Sequence, residues 1–189
     1  YNSDAGDAVV TNVTMGQNIA SNGGGIANTG NLELTHSTVY ENSAETDGGG
    51  ISNTPTVPDR LSIRNTIVAR HTSPAAADLV GTLFQSDGHN LIGDAGGVTF
   101  AGSGDQSGDT ASPLDPSLFD LKFNGGPTQT HGLQFGSPAR DAGDNSDAPV
   151  TDQRGFTRIF DGDGDGTSTI DIGALESGFV VTSFEDTID

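Results

Sequence analysis

Apolar residues alternate with polar ones over short stretches of the first half of the chain. In Leu32-Glu33-Leu34-Thr35 and Leu61-Ser62-Ile63-Arg64 a large aliphatic side chain occupies every second position. A period of two marks a strand with one buried face. Asn, Gly or Ser interrupts these runs every few residues, and no long stretch carries the 3.6-residue period of an amphipathic helix. The pattern also repeats. The run from Val10 through Met15 and Asn18 to Gly23-Gly24-Gly25-Ile26 returns as Leu34 through Val39 and Asn42 to Gly48-Gly49-Gly50-Ile51. A third copy opens at Leu61-Ser-Ile63-Arg-Asn65-Thr-Ile-Val68 and departs after His71, where Pro74-Ala-Ala-Ala77 replaces the triple glycine. Units offset by roughly 24 to 29 residues are too small to bury their own apolar faces, so they must stack.

Short strands in stacked units predict a coil that climbs one strand spacing, about 4.8 Å, per turn. The expected fold is all-β, a right-handed parallel β-helix with irregular C-terminal loops. Val10, Leu34 and Ile63 are predicted to form one interior column, Met15, Val39 and Val68 a second, and Ile26 with Ile51 a third. Asn12, His36 and Asn65 fall at one corner of the repeat, and Asn18, Asn42 and His71 at another. Asn tolerates the left-handed backbone and bonds to nearby main chain, which suits a corner. The triple glycines are read as corner residues needing positive φ. A phosphate-cradling loop would need a following helix, and none is predicted.

Composition then narrows the function classes. The 189 residues are 32% hydrophobic and include 28 glycines. Asp and Glu number 26 against 7 Lys and Arg, a formal net charge of −19, and Lys122 is the only lysine. This balance excludes a nucleic-acid binder that relies on a basic footprint and opposes docking on an anionic membrane. No apolar run approaches the ~20 residues of a membrane-spanning helix. There is no cysteine, hence no disulfide and no thiolate metal site.

The repeats resemble the Gly-Gly-Gly-Ile and Asn-Ser units of large bacterial right-handed parallel β-helix surface proteins, including the polymorphic outer-membrane type. Asn65-Thr-Ile-Val-Ala69, Asp78-Leu-Val-Gly81 and Gly88-His-Asn-Leu-Ile-Gly-Asp94 resemble the last regular coils of such proteins. Three further stretches are similar to the C-terminal module of β-helix proteins described by a variable choice of anchor. They are Asn124-Gly-Gly-Pro-Thr-Gln-Thr-His131, Gly136-Ser-Pro-Ala-Arg-Asp-Ala-Gly-Asp144, and Thr151-Asp-Gln-Arg-Gly155 with Asp171-Ile-Gly-Ala-Leu-Glu176. Arg140 stands where such modules usually carry an aliphatic residue. The resemblance spans roughly residues 9 to 176. It implies an extracellular or cell-surface location and no established reaction. The organisation expected is regular coils over 1–94, a C-terminal module with long loops over 95–176, and a trailing strand or the start of a next module over 177–189. The beginning at Tyr1 reads as mid-coil, so the chain reads as a segment of a longer protein or a processed product.

The sharpest chemical motif is Asp161-Gly-Asp163-Gly-Asp165-Gly166-Thr167, followed by Asp171. Carboxylates at alternate loop positions with a central glycine can wrap a calcium ion, which prefers six to eight oxygens. Asp161, Asp163, Asp165, Thr167 and Asp171 are the candidate calcium ligands, although Ile172 occupies the usual twelfth position. The bland alternative is an exposed acidic hairpin. Asp141, Asp144, Asp147 and Asp152 form a second acidic stretch, read as solvated. His36 and His71 are expected to have surface roles at corners, and His89 and His131 are scattered.

No Gly-x-Ser-x-Gly elbow supports a hydrolase. Arg60, Arg64 and Arg70, with Asp59 and Asp78, are the only lyase-like grouping. Arg64 and Arg70 are expected to face outward as ordinary strand-exterior residues. The function expected is a non-enzymatic structural or adhesive module. It would assemble head-to-tail with neighbouring copies or modules of the same protein through open coil ends. Phe179, Val180, Val181, Thr182, Ser183 and Phe184 form the candidate assembly strand. The alternative is a glycan-binding or polysaccharide-degrading domain. Glycan binding would require a stripe of exposed aromatics, for which Tyr40 and Phe84 are the candidates. The Gly102–Asp109 run is read as a loop over the surface.

Overall fold

The computed structural model describes residues 1–3, 6–55, 60–74, 78–82, 84–162 and 164–178. All sixteen strands are short, and no helix occurs among the described residues. The chain winds into a parallel β-solenoid of about three turns. The first coil carries β1 (Asp7–Thr11), β2 (Thr14–Gly16), β3 (Ile19–Asn22) and β4 (Ile26–Asn28). The second carries β5 (Asn31–Thr35), β6 (Thr38–Tyr40), β7 (Ser43–Asp47) and β8 (Ile51–Asn53). The third carries β9 (Leu61–Arg64), β10 (Ile67–Ala69) and β11 (Leu79–Gly81). A partial fourth carries β12 (Phe84–Ser86), β13 (Leu91–Ile92) and β14 (Gln106–Ser107). Equivalent strands pair in parallel as β1-β5-β9-β12, β2-β6-β10-β13-β14, β4-β8-β11 and β3-β7.

The predicted columns are present. Val10 pairs with Leu34 and Leu34 with Ile63. Met15 pairs with Val39 and Val39 with Val68, and Ile92 extends that row. Ile26 lies on Ile51, and Leu79 continues the third column. These side chains form one interior core. At the predicted corner Asn12, His36, Asn65 and also His89 have φ near +50°. Of each glycine triple only the first member, Gly23 or Gly48, has positive φ. The next two serve a different need, because coils approach too closely there for a Cβ. A methyl on Gly49 would sit 2.7 Å from the Thr72 carbonyl oxygen.

Corner side chains tie the coils together in one direction. The N–H of Val13 donates to Ser37 Oγ, that of Ser37 to Thr66 Oγ1, that of Thr66 to Asn90 Oδ1, and that of Asn90 to Asp105 Oδ1. At the second corner the N–H of Asn18 donates to Asn42 Oδ1 at 3.0 Å, and that of Asn42 to His71 Nδ1 at 2.9 Å. The His71 N–H donates to Asp78 Oδ1. An interior Asn ladder runs from Asn2 to Asn28 to Asn53 and ends on the Thr82 carbonyl. Each link satisfies a backbone or amide group that burial would otherwise leave unpaired.

Several expectations are corrected. Tyr40 is not an exposed aromatic: it is buried edge-on against His131. His36 and His71 are buried rather than superficial. Arg64 points out of the coil but lies under the chain, with its guanidinium 2.7 Å from Asp144. The Gly102–Asp109 run is not a plain surface loop, since Gln106–Ser107 pairs with Leu91–Ile92. One feature accounts for Tyr40, His36 and Arg64, whereas His71 is buried between coils, its ring against Asn42 and Gly50. Residues 113–178 fold back along the outer face of the β2-β6-β10-β13-β14 sheet, where Leu118, Leu133, Ala139 and Ile172 cover Tyr40, Ile67, Ala69 and Leu91. Its central strands β6, β10 and β13 are therefore buried on both faces. The covering segment includes the antiparallel pair β15 (Lys122–Phe123) and β16 (Gln129–Thr130).

Candidate functional site

The two ends of the solenoid differ. Among the described residues β1, β2 and β3 have no partner on their outer edges, and only β4 is covered, by Asn2 bridging to Asn28. Ala8, Val10 and Met15 head interior columns yet are only partly buried, whereas Leu34 and Val39 beneath them are fully buried. Val9 and Ile19 are largely exposed. Asn18 donates downward through Nδ2 to Asn42 Oδ1, and its backbone N–H is satisfied from the same side. At the far end β12, β14 and β11 are edge strands as well, but the core beneath them is covered. Ala95 is buried in the core, Phe100 packs on Phe84, and Asp105 holds Ser86 and the Asn90 N–H from below.

Of the sequence-predicted calcium ligands, those among the described residues do not all face one surface. Asp161 accepts the N–H groups of Gly164 at 2.7 Å and Gly166 at 3.0 Å, and Asp165 accepts that of Thr167. These carboxylates shape their own loop. Asp171 is fully buried, and its carboxylate takes the N–H groups of Asp141 and Ser177, so it turns inward while Asp165 and Thr167 face solvent. Asp163 lies outside the described residues, as do Asp59 and Phe179–Phe184. Among the described residues no three His, Cys, Asp or Glu side chains are arranged to hold a metal ion.

The other titratable groups are largely engaged in holding backbone. Asp152 accepts the Arg154 and Phe156 N–H groups on one oxygen, and the Glu176 N–H and two Arg154 guanidinium nitrogens on the other. This explains the Thr-Asp-Gln-Arg-Gly stretch as a cross-brace to Glu176. Arg158 is fully buried and donates to the Gly173 carbonyl. Burial, reinforced by the Asp171 charge, pushes the Glu176 carboxyl up to about 9. Burial likewise raises Asp78 to about 6. It lowers His36 to about 4 and His71 to about 3. Asn65 can only donate through Nδ2, so His36 Nε2 accepts at 3.0 Å and the ring proton sits on Nδ1. His89 and His131 donate from Nδ1 to the carbonyls of Ala142 and Phe119. Every histidine thus has a structural bond.

A second surface was not visible in the sequence. Two adjoining concavities of about 240 and 260 Å³ flank Arg154 and share a floor at Glu176, Ser177 and Gly178. Phe119, Lys122 and Arg140 wall the first, and Phe156 and Phe160 the second. Lys122 Nζ lies 5.0 Å from the Phe119 ring centre, and the Arg154 guanidinium 4.7 Å from that of Phe156. The residues come from positions 119 to 178, so no local spacing announces them. Comparison of the chain with protein-family models, with curated proteins and with solved structures finds no match.

Proposed function

We propose that this chain is a non-enzymatic structural or adhesive β-helix module of an extracellular or cell-surface protein. Its open first coil accepts a further strand or coil from a neighbouring module or a second copy. The observation that carries this reading is the contrast between the two ends. Both ends carry edge strands, but one leaves Ala8, Val10 and Met15 half-buried, whereas the other covers its core with Ala95 and Phe100. An added strand would extend one of the three parallel ladders, and an added coil all three, burying the exposed column heads, worth on the order of 1 kcal/mol per aliphatic side chain. Because the far end is plugged, a donor must supply a strand rather than a flat coil face. The segment Phe179–Phe184, rich in Phe and Val, is the proposed donor in a head-to-tail contact.

The non-enzymatic part of the reading is supported by how the carboxylates and imidazoles are used. Asp78, Asp105, Asp152 and Asp171 each cap backbone N–H groups, and the histidines are bonded as described. The test is electron microscopy and light scattering of the whole chain, of a form lacking 179–189, and of Val10→Asp, each with calcium and with chelator. Filaments or oligomers of the whole chain, lost in both variants at unchanged circular dichroism, are the expected result. A whole chain that stays monomeric, or variants that assemble as before, would overturn the reading. Loss of assembly under chelation would tie the Asp161–Asp165 loop to it.

A further inference from the structure

The groove beside Arg154 concentrates a scarce resource of this molecule. The chain has 7 basic side chains against 26 acidic ones, yet Lys122, Arg140 and Arg154 all line this one depression. Lys122 has no carboxylate within ion-pair distance among the described residues, and neither has Arg140. Arg140 donates to the Gly162 carbonyl and leaves its buried Nε without a partner. Arg154 is matched by Asp152. The remaining acid of the floor, Glu176, is held largely uncharged at neutral pH by its burial. The charge of the buried Asp171 also acts on Arg140, so Lys122 is the groove's unmatched cation among the described residues, inside a molecule whose overall field repels anions.

The rest of the groove narrows the kind of anion. Phe119 and Phe156 are about half exposed along it, and they offer apolar ring surface next to the cations. The floor offers little to an extended peptide seeking main-chain pairing. The Glu176 N–H is already taken by Asp152 and the Ser177 N–H by Asp171. The Asn124 amide nitrogen is already spent on Thr130, so recognition must come from the Lys122 ammonium, guanidinium charge and aromatic edges. We propose that this groove binds a uronate-bearing polysaccharide, with Lys122 pairing a sugar carboxylate and Phe119 and Phe156 contacting the C–H face of adjoining rings. A uronic acid supplies one carboxylate per ring on an otherwise uncharged, partly apolar frame, which matches cations set among aromatics. This surface lies on the covering segment, not on the open first coil, so the inference stands apart from the assembly reading.

Isothermal titration tests it, using trigalacturonate as probe, a neutral trisaccharide as control, and a glutamate oligopeptide as the competing anion. The expected result is binding of the uronate alone, weakened about tenfold or more in Lys122→Gln and in Phe156→Ala. It should also weaken at about 0.5 M salt, where screening is short-ranged. Both positions are substantially exposed, and unchanged melting curves would confirm that the variants fold. Absence of uronate binding, equal binding by Lys122→Gln, or equal binding of the neutral sugar overturns the proposal. Equal binding of the glutamate peptide overturns the sugar class in favour of a peptide ligand. Val10→Asp should bind normally, so failure here and failure of the assembly reading are distinguishable.

Discussion

At the scale of single residues, glycine identity is set by what the next coil places beside it. A methyl on Gly24 would meet the carbonyl oxygens of Gly49 and Ser43, both backbone atoms of neighbouring strands. Gly24→Ala should cost about 3 kcal/mol, read by chemical denaturation, because both contacts are with backbone of the adjoining coil and not with a flexible side chain. Gly97 has φ near +85° with nothing within 4 Å, so Gly97→Ala should cost only about 1 kcal/mol of backbone strain. Glu176 makes a second prediction at this scale. Its folded-state pKa lies well above the ordinary 4.5, so the native chain keeps a proton that the unfolded chain has released. Its contribution to stability is complete below about pH 4.5 and is lost as pH rises towards 9. His36 and His71, lowered by burial, act in the opposite sense, but only below their ordinary value of 6.5. Melting temperature should therefore fall between about pH 6.5 and 9, and Glu176→Gln should flatten that slope. A wild-type curve already flat over this interval would contradict the assignment.

At the scale of elements, what the sequence reveals is what repeats. The columns headed by Val10, Met15 and Ile26 were legible because a period of two fixes which side faces inward, and the recurrence fixes which coil lies beneath. The corner role of Asn12, His36 and Asn65 was legible for the same reason. The Asn28–Asn53 pair could have been found by the same logic, since each follows its Gly-Gly-Gly-Ile by two residues. That ladder is interior: Asn28 Nδ2 donates to Asn53 Oδ1 at 2.7 Å, and Asn53 Nδ2 donates to the Thr82 carbonyl at 2.6 Å. Asn53→Ala removes one of the two acceptors of the buried Asn28 amide, which keeps the Gly30 carbonyl, and the donor to the Thr82 carbonyl. It should lower stability by about 2 kcal/mol in equilibrium denaturation, whereas the exposed Thr11 to Thr35 hydroxyl contact should be worth a few tenths. In the acidic loop, spacing counts residues and not directions. Asp171 sits one strand's reach from Asp165 in sequence, yet it turns into the core to hold Asp141 and Ser177.

At the scale of the whole molecule, the covering segment 113–178 was the least legible feature. It has no internal repeat, and its bonds to the coils join residues as far apart as Asn12 and Thr151 or Thr14 and Gln153. A signal did exist. Ile67-Val68-Ala69 is apolar at consecutive positions, which a strand needs only when both faces are buried. The segment reaches each level of the stack: Asn12 and Thr14 in the first coil, Thr38 in the second, Arg64 and Asn65 in the third, His89 and Gln106 below. An unsupported solenoid melts like a zipper, losing terminal units one at a time because each touches only its neighbours. Here an external splint fastens the outermost rung directly to the deepest ones. The first coil cannot peel away without also releasing Thr151 and Gln153, so fraying at the open end is coupled to loss of the entire wrapping. A short, glycine-rich stack braced in this way should unfold more nearly all-or-none than a bare solenoid, while among the described residues its first-coil edges stay bare.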